Sequence, residues 1–199
     1  MHAIEAARGT DATRRRILAA TRELYARGGS SGTTTLRIAE RAGVNEATVF
    51  RHFGTKGRLI AEMLERYAGD SVAAEAIGRA RALGSLEEQL EAMARGAVEA
   101  LRAREDLIKV TMAEEYFNPD GFSCAWRGPV RTREAFAAYF AEQIAAGRLR
   151  GDPDMLARTF MSLYFAFVVA RKLWSDNPVP NDVAIRSLID IFLHGARNR

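Results

Sequence analysis

The chain has 199 residues, of which 48% are hydrophobic and 27% are charged. This balance is typical of a globular protein with one domain or two small ones, and it excludes wholesale disorder. The longest apolar run, Leu163 to Ala170, is far shorter than the roughly 20 residues that a membrane span needs. The single cysteine, Cys124, excludes an internal disulfide framework and a cysteine-based zinc site. Since no secretory signal is recognisable, the expected compartment is the cytoplasm.

Positive charge is concentrated at one end of the chain. Residues 1–60 hold eleven Lys or Arg and five Asp or Glu, whereas the remainder holds eighteen and twenty. The net charge is therefore +6 in the first segment and −2 in the second. A basic end on a near-neutral body indicates a polyanionic partner, because Lys and Arg displace phosphate counterions. An ordinary basic surface is the alternative.

Apolar residues recur at helical spacing along nearly the whole chain, which predicts an all-α protein of about nine helices. The first stripe ends at Gly28-Gly29, and Asp152-Pro153 reads as an N-cap followed by proline in the first turn. A capping box is predicted at Ser85 and Glu88. The predicted helical segments, in chain order, are Ile17–Tyr25, two short helices within Thr33–Gly57, Leu59–Tyr67, Leu90–Leu101, Leu107–Phe117, Phe136–Ile144, Leu156–Val168 and Ile185–Phe192.

The stretch from Thr33 to Ile60 has the pattern of a helix-turn-helix. A small residue, Ala39, allows two helices to cross closely, and Gly43 permits the positive φ that the turn needs. Val49 is the apolar anchor of the second helix, with Ile38 and Val44 beside it. The caps are expected from Thr34 or Thr35 for the first helix and from Asn45 for the second. The motif is thus predicted at about residues 34–53.

The second helix of this motif is the predicted recognition helix. Arg51 can contact guanine with two hydrogen bonds, and Ala47 can touch a thymine methyl. Thr48 and His52 suit phosphate, while Lys56 opens a further helix capped by Thr55, a favourable phosphate site. The alternatives are a surface role for His52 and a core role for Phe50. The outward positions are Glu46, Ala47, Thr48, Phe50, Arg51 and His52.

The same segment resembles a known family. Its signature residues are Thr35, Ile38, Ala39, Ala42, Gly43, Val44, Thr48, Val49, Phe50, His52, Phe53, Gly54, Thr55, Lys56 and Leu59. With this pattern, residues 11–71 resemble the DNA-binding domain of the TetR family of bacterial transcriptional regulators. The resemblance implies a three-helix head, and a body at 72–199 that binds an inducer and forms a dimer.

The resemblance also implies roles for individual residues. Backbone contacts are implied for Thr35, Thr48, His52 and Lys56, and base contacts for Glu46, Ala47 and Arg51. Two positions depart from the family pattern. Phe50 stands where tyrosine is commoner and lacks the hydroxyl that would reach phosphate, and Gly57 stands where the family often has an acid. Arg14, Arg15 and Arg16 can add contacts to the DNA backbone or minor groove, or they form a solvated charge run.

The last two predicted helices are more apolar than one buried face requires. Either they are central to the monomer or a second copy covers them. Paired recognition helices also call for a dimer, so we expect an isologous four-helix interface, and the resemblance implies the same helices. Its predicted residues are Phe160, Leu163, Phe167, Ile185, Leu188, Ile189 and Phe192.

Aromatic and methionine side chains in the body suggest an apolar ligand pocket, with an ordinary core as the alternative. Glu114 and Glu115 can give such a pocket a negative end, or they are solvated helix charges. The candidate pocket residues are Tyr67, Met93, Met112, Tyr116, Phe117, Trp126, Phe136, Phe140 and Tyr164.

No catalytic constellation is recognisable, and no cofactor or metal is expected. The three histidines, His2, His52 and His194, lack metal-ligand spacing. Together with the resemblance to the TetR family, the sequence predicts a dimeric repressor, not an enzyme, that binds a palindromic double-stranded operator and is released by a small apolar effector. The alternative is an architectural or partner-recruiting DNA-binding protein without an inducer.

Overall fold

The computed structural model describes residues 2–67, 70–117, 127–171 and 180–196. Within these ranges the backbone forms ten α-helices and no β-strand, which confirms the predicted all-α fold. None of the described helices is long and apolar enough to cross a membrane. The helices are α1 His2–Gly32, α2 Thr35–Ala42, α3 Glu46–Phe53, α4 Lys56–Tyr67, α5 Asp70–Ala80, α6 Leu86–Arg102, α7 Glu105–Phe117, α8 Arg127–Ala145, α9 Pro153–Val169 and α10 Asn181–Ala196.

The helices divide into two compact units with separate cores. The first unit contains residues 1–68 and 106–127, and the second contains residues 69–105 and 128–199. The first unit thus includes α7 from Asp106 onward, although the expected boundary at residues 71 and 72 places this helix in the body. Leu107 of α7 is only 5% exposed, and it packs with Tyr25, Ile38, Leu59 and Met63 in one apolar cluster.

Helix starts follow the local signals in the sequence. Ser85 caps α6 by accepting from the Glu88 N–H, while the Glu88 carboxylate accepts from the Ser85 N–H, so the predicted capping box is confirmed. These hydrogen bonds lower the pKa of Glu88. Asp152 caps α9 with Pro153 in the first turn, as predicted.

Helix α1 differs from the expectation in two ways. It begins at His2, well before the predicted stripe. It also continues to Gly32 across a break at Gly29, where φ is 59° and ψ is −162°. That backbone region is essentially restricted to glycine, so the break lies where the Gly28-Gly29 pair predicted an end.

Aromatic rings fill the core of the second unit. Phe160 lies at the centre of the cluster, with ring centroids of Tyr164, Phe136, Phe192 and Phe140 at 4.9, 5.1, 5.5 and 5.6 Å. Phe160 and Phe140 are fully buried. Since the contacts are edge-to-face or tilted, they add to the stabilisation that burial itself supplies.

Two tyrosines of this core have perturbed acidities. Burial raises the pKa of Tyr139 to about 12, and its hydroxyl donates to Gln89 Oε1 at 2.7 Å. Burial also raises the pKa of Tyr164 far above its ordinary value. The Tyr164 hydroxyl is buried without a hydrogen-bond partner among the described residues.

The residues predicted at a dimer interface lie at different depths. Four are buried within the subunit, namely Phe160, Ile185, Ile189 and Phe192. Leu163, Phe167 and Leu188 are partly buried against the same core. The large apolar side chains that α9 and α10 expose are different ones: Met155 at 58%, Val183 at 50% and Ile191 at 64%.

Candidate nucleic-acid interface

Helices α2 and α3 form the predicted helix-turn-helix. Gly43 joins them in the left-handed conformation, with φ 65° and ψ 44°. Ala39 of α2 and Val49 of α3 are 2% and 1% exposed and belong to the same apolar cluster, in which Ile38 is fully buried. The small residue, the turn glycine and the apolar anchor therefore take the positions that their spacing predicted.

The N-termini of both helices are capped by side chains. Thr34 accepts a hydrogen bond from the Arg37 N–H at 3.3 Å, and Asn45 accepts from the Thr48 N–H at 2.8 Å. Of the two candidate threonines, Thr34 is thus the cap. The hydroxyl of Thr35 instead donates to Glu46 Oε1 at 2.5 Å, which ties the start of α2 to the start of α3.

Helix α3 presents an exposed face to solvent. Ala47 and Arg51 are exposed, Phe50 is 47% exposed, and Glu46 and His52 are half-buried. Solvent-exposed Phe50 is available for apolar contact, and it is not the core aromatic that was the alternative. Together these side chains can touch base edges and sugars in a groove.

Thr48 differs from its expected outward position. It is only 9% exposed, and its hydroxyl donates to Asn45 Oδ1 at 2.7 Å. The hydroxyl oxygen of Thr48 also accepts from Arg51 Nη2 at 3.4 Å. The hydrogen-bond partners of the Thr48 hydroxyl therefore lie within α3 and its N-cap residue.

An open cavity of about 490 Å³ adjoins the start of α3. Two threonines of α1, Thr10 and Thr13, form one side of it, and neither was predicted from the sequence. A cleft with hydroxyl, amide and guanidinium groups suits a phosphate backbone. The other lining residues are Val44, Asn45, Thr48, Arg51 and His52.

Arg14 joins α1 to the end of α3. Its Nη1 donates to the carbonyl of His52 at 3.0 Å, and its guanidinium lies 4.5 Å from the centroid of the Phe53 ring. Its other terminal nitrogen pairs with Glu62 of α4. Through these contacts Arg14 holds the end of α3 in place. The sequence alone does not predict this role, because the contacting residues lie far from Arg14 along the chain.

Lys56 lies in the first turn of α4, which Thr55 caps by accepting from the Arg58 N–H at 3.2 Å. The Lys56 ammonium donates to the carbonyl of Ser30 at 3.0 Å. A carbonyl partner fixes the ammonium without neutralising it, so its charge stays available to an anion.

The candidate pocket residues whose side chains the structure describes do not share one core. In the first unit, Tyr67 lies beneath the Arg22 guanidinium at 5.4 Å, while Met112 and Tyr116 are 40% and 83% exposed. The second unit buries Met93, Phe136, Phe140 and Tyr164 completely or nearly so. Trp126 lies outside the described residues, as does the side chain of Phe117.

Among the residues that the structure describes, no group of three or more His, Cys, Asp or Glu side chains is arranged to hold a metal ion.

Two family models match this chain, one over the helix-turn-helix and one over most of the residues that follow it. Residues 17–63 match the family model of bacterial regulatory proteins of the tetR family. Residues 88–194 match the C-terminal domain of AefR-like transcriptional repressors. The second match alone spans more than half of the chain.

Individual proteins agree with these matches. The regulator NfxB of Pseudomonas aeruginosa is 30% identical, covering 83% of this chain and 85% of its own length. YvkB of Bacillus subtilis, also an HTH-type transcriptional regulator, is 26% identical over 92% of this chain and 96% of its own. A Mesorhizobium loti structure described as a TetR-family regulator superimposes with a TM-score of 0.80 at 21% identity, covering 95% and 98% of the two chains.

The helix-turn-helix geometry and the two family matches lead to one assignment. TetR-family regulators act by binding DNA, which agrees with the basic first segment and the exposed face of α3. The chain is a member of the TetR family, a helix-turn-helix transcriptional regulator and not an enzyme.

Proposed function

We propose that this regulator is a cytoplasmic repressor that binds a palindromic operator as a homodimer and is released by a small apolar effector. The observation that carries the DNA-binding half is the exposed face of α3, held between a capped N-terminus and the Arg14 contact. The match to AefR-like transcriptional repressors supports the sign of regulation. A bound repressor would hinder polymerase by occupying the promoter.

Dimerisation is supported by the apolar surface of the last two helices. A homodimer would place two recognition helices about 34 Å apart, one turn of DNA, and make the operator a palindrome. In the proposed four-helix interface, the second copy would contact the exposed side chains of Val183 and Ile191 of α10 and Met155 of α9. Such side chains lose unfavourable water contact when a second copy covers them.

The effector is expected in the second unit, where the Tyr164 hydroxyl has no hydrogen-bond partner among the residues that the structure describes. An unsatisfied buried hydroxyl costs about 1–3 kcal/mol, and a ligand with one hydrogen-bonding group would recover part of this. The surrounding rings favour an apolar remainder of the ligand. Cationic preference through Glu114 loses support, because that carboxylate already accepts from Tyr25 and Ser30.

Release from DNA would then be a population shift. The effector favours a separation of the two heads that does not fit the operator. The free energy of this shift equals the effector's preference, in binding free energy, for the state that does not bind DNA. Helix α4 is the proposed lever, since Lys56 opens it and Met63 and Leu64 near its end are buried in the first core. An unchanged distance between paired heads in an effector-released dimer would contradict this mechanism.

The DNA-binding half is tested with two substitutions on an operator selected from random DNA. Arg51→Ala should relax preference at one base pair by about 1–3 kcal/mol, because it removes a base contact. Lys56→Ala should weaken all sequences alike and lower the salt dependence by about one phosphate contact. Fluorescence anisotropy on single-base variants of the operator, at several salt concentrations, measures both effects.

A matched control is Arg66→Ala, which removes an exposed positive charge from the far end of α4. It should leave base preference unchanged. If Arg51→Ala and Lys56→Ala both bind the selected operator like the unaltered protein, the assignment of α3 as the recognition helix is wrong.

The effector half separates this proposal from the architectural alternative. In a thermal-shift screen of apolar small molecules, true ligands should raise the melting temperature by mass action and release operator DNA. Their shifts should shrink in Tyr164→Phe, which keeps the ring and removes the hydroxyl. Hits that stabilise both proteins equally would exclude the Tyr164 contact, and a complete absence of hits would favour the architectural alternative.

A further inference from the structure

The break in α1 at Gly29 is held by residues from two distant helices. Ser30 follows the break, and a helix interruption leaves backbone groups that need partners. The Ser30 N–H donates to a carboxylate oxygen of Glu114 in α7. The Ser30 carbonyl accepts from the Lys56 ammonium of α4 at 3.0 Å. One peptide segment therefore links a glutamate of α7 to the lysine proposed to contact phosphate.

The carboxylate of Glu114 is held at the break by a second hydrogen bond and by the space that Gly29 leaves. Its second carboxylate oxygen accepts from the hydroxyl of Tyr25 at 3.0 Å, and Tyr25 is fully buried. A Cβ at position 29 would overlap Glu114 Oε1, so the glycine is what lets the carboxylate approach the break. Hydrogen bonds to an ionised carboxylate are among the stronger ones in proteins.

Helix α7 is anchored to the first unit at its other end too. Leu107 is buried in the core of that unit, and Asp106 pairs with Arg22 of α1 at 3.7 Å. The carboxylate of Glu114 is thus carried by a helix that is joined to α1 near both of its ends, through Asp106 and through Glu114 itself.

We infer that Glu114 is a positioning residue for DNA binding, which holds the α1 break so that the Ser30 carbonyl fixes Lys56 for a phosphate. This inference rests on the proposed phosphate contact of Lys56. Glu114 itself is a negative charge in a DNA-binding unit, so elementary electrostatics gives it the opposite effect. Positioning and repulsion therefore predict changes of opposite sign when the charge is removed.

The experiment measures operator affinity and its salt dependence for Glu114→Gln, Glu114→Asp and Lys56→Ala. Glu114→Gln should weaken binding about 3- to 10-fold although it removes a negative charge, and its salt slope should fall by about one phosphate contact, as in Lys56→Ala. Glu114→Asp keeps the charge but shortens the reach, and it should weaken binding in the same direction. The double variant Glu114→Gln with Lys56→Ala should bind no more weakly than Lys56→Ala alone.

The matched control is Glu115→Gln, which makes the same charge change at the next residue. It should leave the salt slope unchanged, because no hydrogen bond joins Glu115 to residues 29–33 within the described part of the chain. Amide hydrogen exchange at residues 29–33 should quicken in Glu114→Gln but not in this control, which reports the lost Ser30 hydrogen bond directly.

The possible outcomes distinguish a failure of this inference from a failure of the proposed phosphate contact of Lys56. If Lys56→Ala leaves the salt slope unchanged, the phosphate contact of Lys56 fails, and the inference falls with it. If Lys56→Ala lowers the slope while Glu114→Gln binds as tightly as the unaltered protein, or more tightly, only the inference is overturned. Multiplying effects in the double variant would overturn it as well.

Discussion

Replacing Phe160 with alanine is expected to lower the free energy of unfolding by about 3–5 kcal/mol, the range for large aromatic-to-alanine changes in packed cores. Phe160 is fully buried, and four aromatic rings lie with centroids within 5.6 Å of its own. Removing the ring leaves a cavity that these neighbours fill only partly. Urea unfolding followed by circular dichroism measures the loss.

The control for Phe160 is an exposed residue of α10 that lies outside the predicted interface residues and that the proposed dimer would cover. Ile191 is 64% exposed, whereas its neighbour Phe192 is 4% exposed. Ile191→Asp should change subunit stability by no more than about 0.5 kcal/mol, yet it should shift the monomer–dimer equilibrium in sedimentation experiments. A small loss of stability in Phe160→Ala, with loss of the dimer instead, would show that Phe160 belongs to the interface and not to the core.

This contrast explains why the sequence could not separate core from interface. An apolar stripe indicates only that one face of a helix is buried. Burial against the chain's own α8 and burial against a second copy produce the same sequence pattern. Phe160 and Phe192 therefore looked like interface residues, although the subunit itself buries them. Val183 and Ile191 carried no distinguishing signal, because single exposed apolar residues are common.

Features set by local chemistry were predictable. The caps at Asn45, Ser85 and Asp152 and the turn at Gly43 depend on residues within a few positions of one another, so the sequence contains their whole cause. The exposed face of α3 followed from the same short motif. Thr48 was the local exception, since its hydroxyl bonds to the cap and does not face solvent.

Features set by distant residues were not predictable. Glu114 and Ser30 are separated by 84 positions, and no periodicity brings them together. The adjacent pair Glu114 and Glu115 looked like solvated charge for the same reason. Arg14 is one of three consecutive arginines in the sequence, and only its contacts with α3 and α4 distinguish it from the other two.

Replacing Gly29 with alanine is expected to destabilise the first unit by about 3 kcal/mol. A side chain at φ 59° and ψ −162° costs about 1–3 kcal/mol in backbone strain, and the new Cβ would also displace Glu114 from Ser30, breaking a charge-assisted hydrogen bond. Thermal and urea unfolding of the full chain measure the loss, and operator affinity should fall with it through Lys56.

The neighbouring glycine supplies the matched control for that change. Gly28 is exposed in the helical part of α1, and a Cβ there meets nothing within 4 Å, so Gly28→Ala should stabilise the chain by up to about 1 kcal/mol through helix propensity. Adding Glu114→Ala to Gly29→Ala should cost less stability than Glu114→Ala costs alone, because Gly29→Ala has already broken the hydrogen bond between Glu114 and Ser30. Equal effects at positions 28 and 29, or strictly additive losses in the double variant, would show that the break does not depend on the carboxylate of α7.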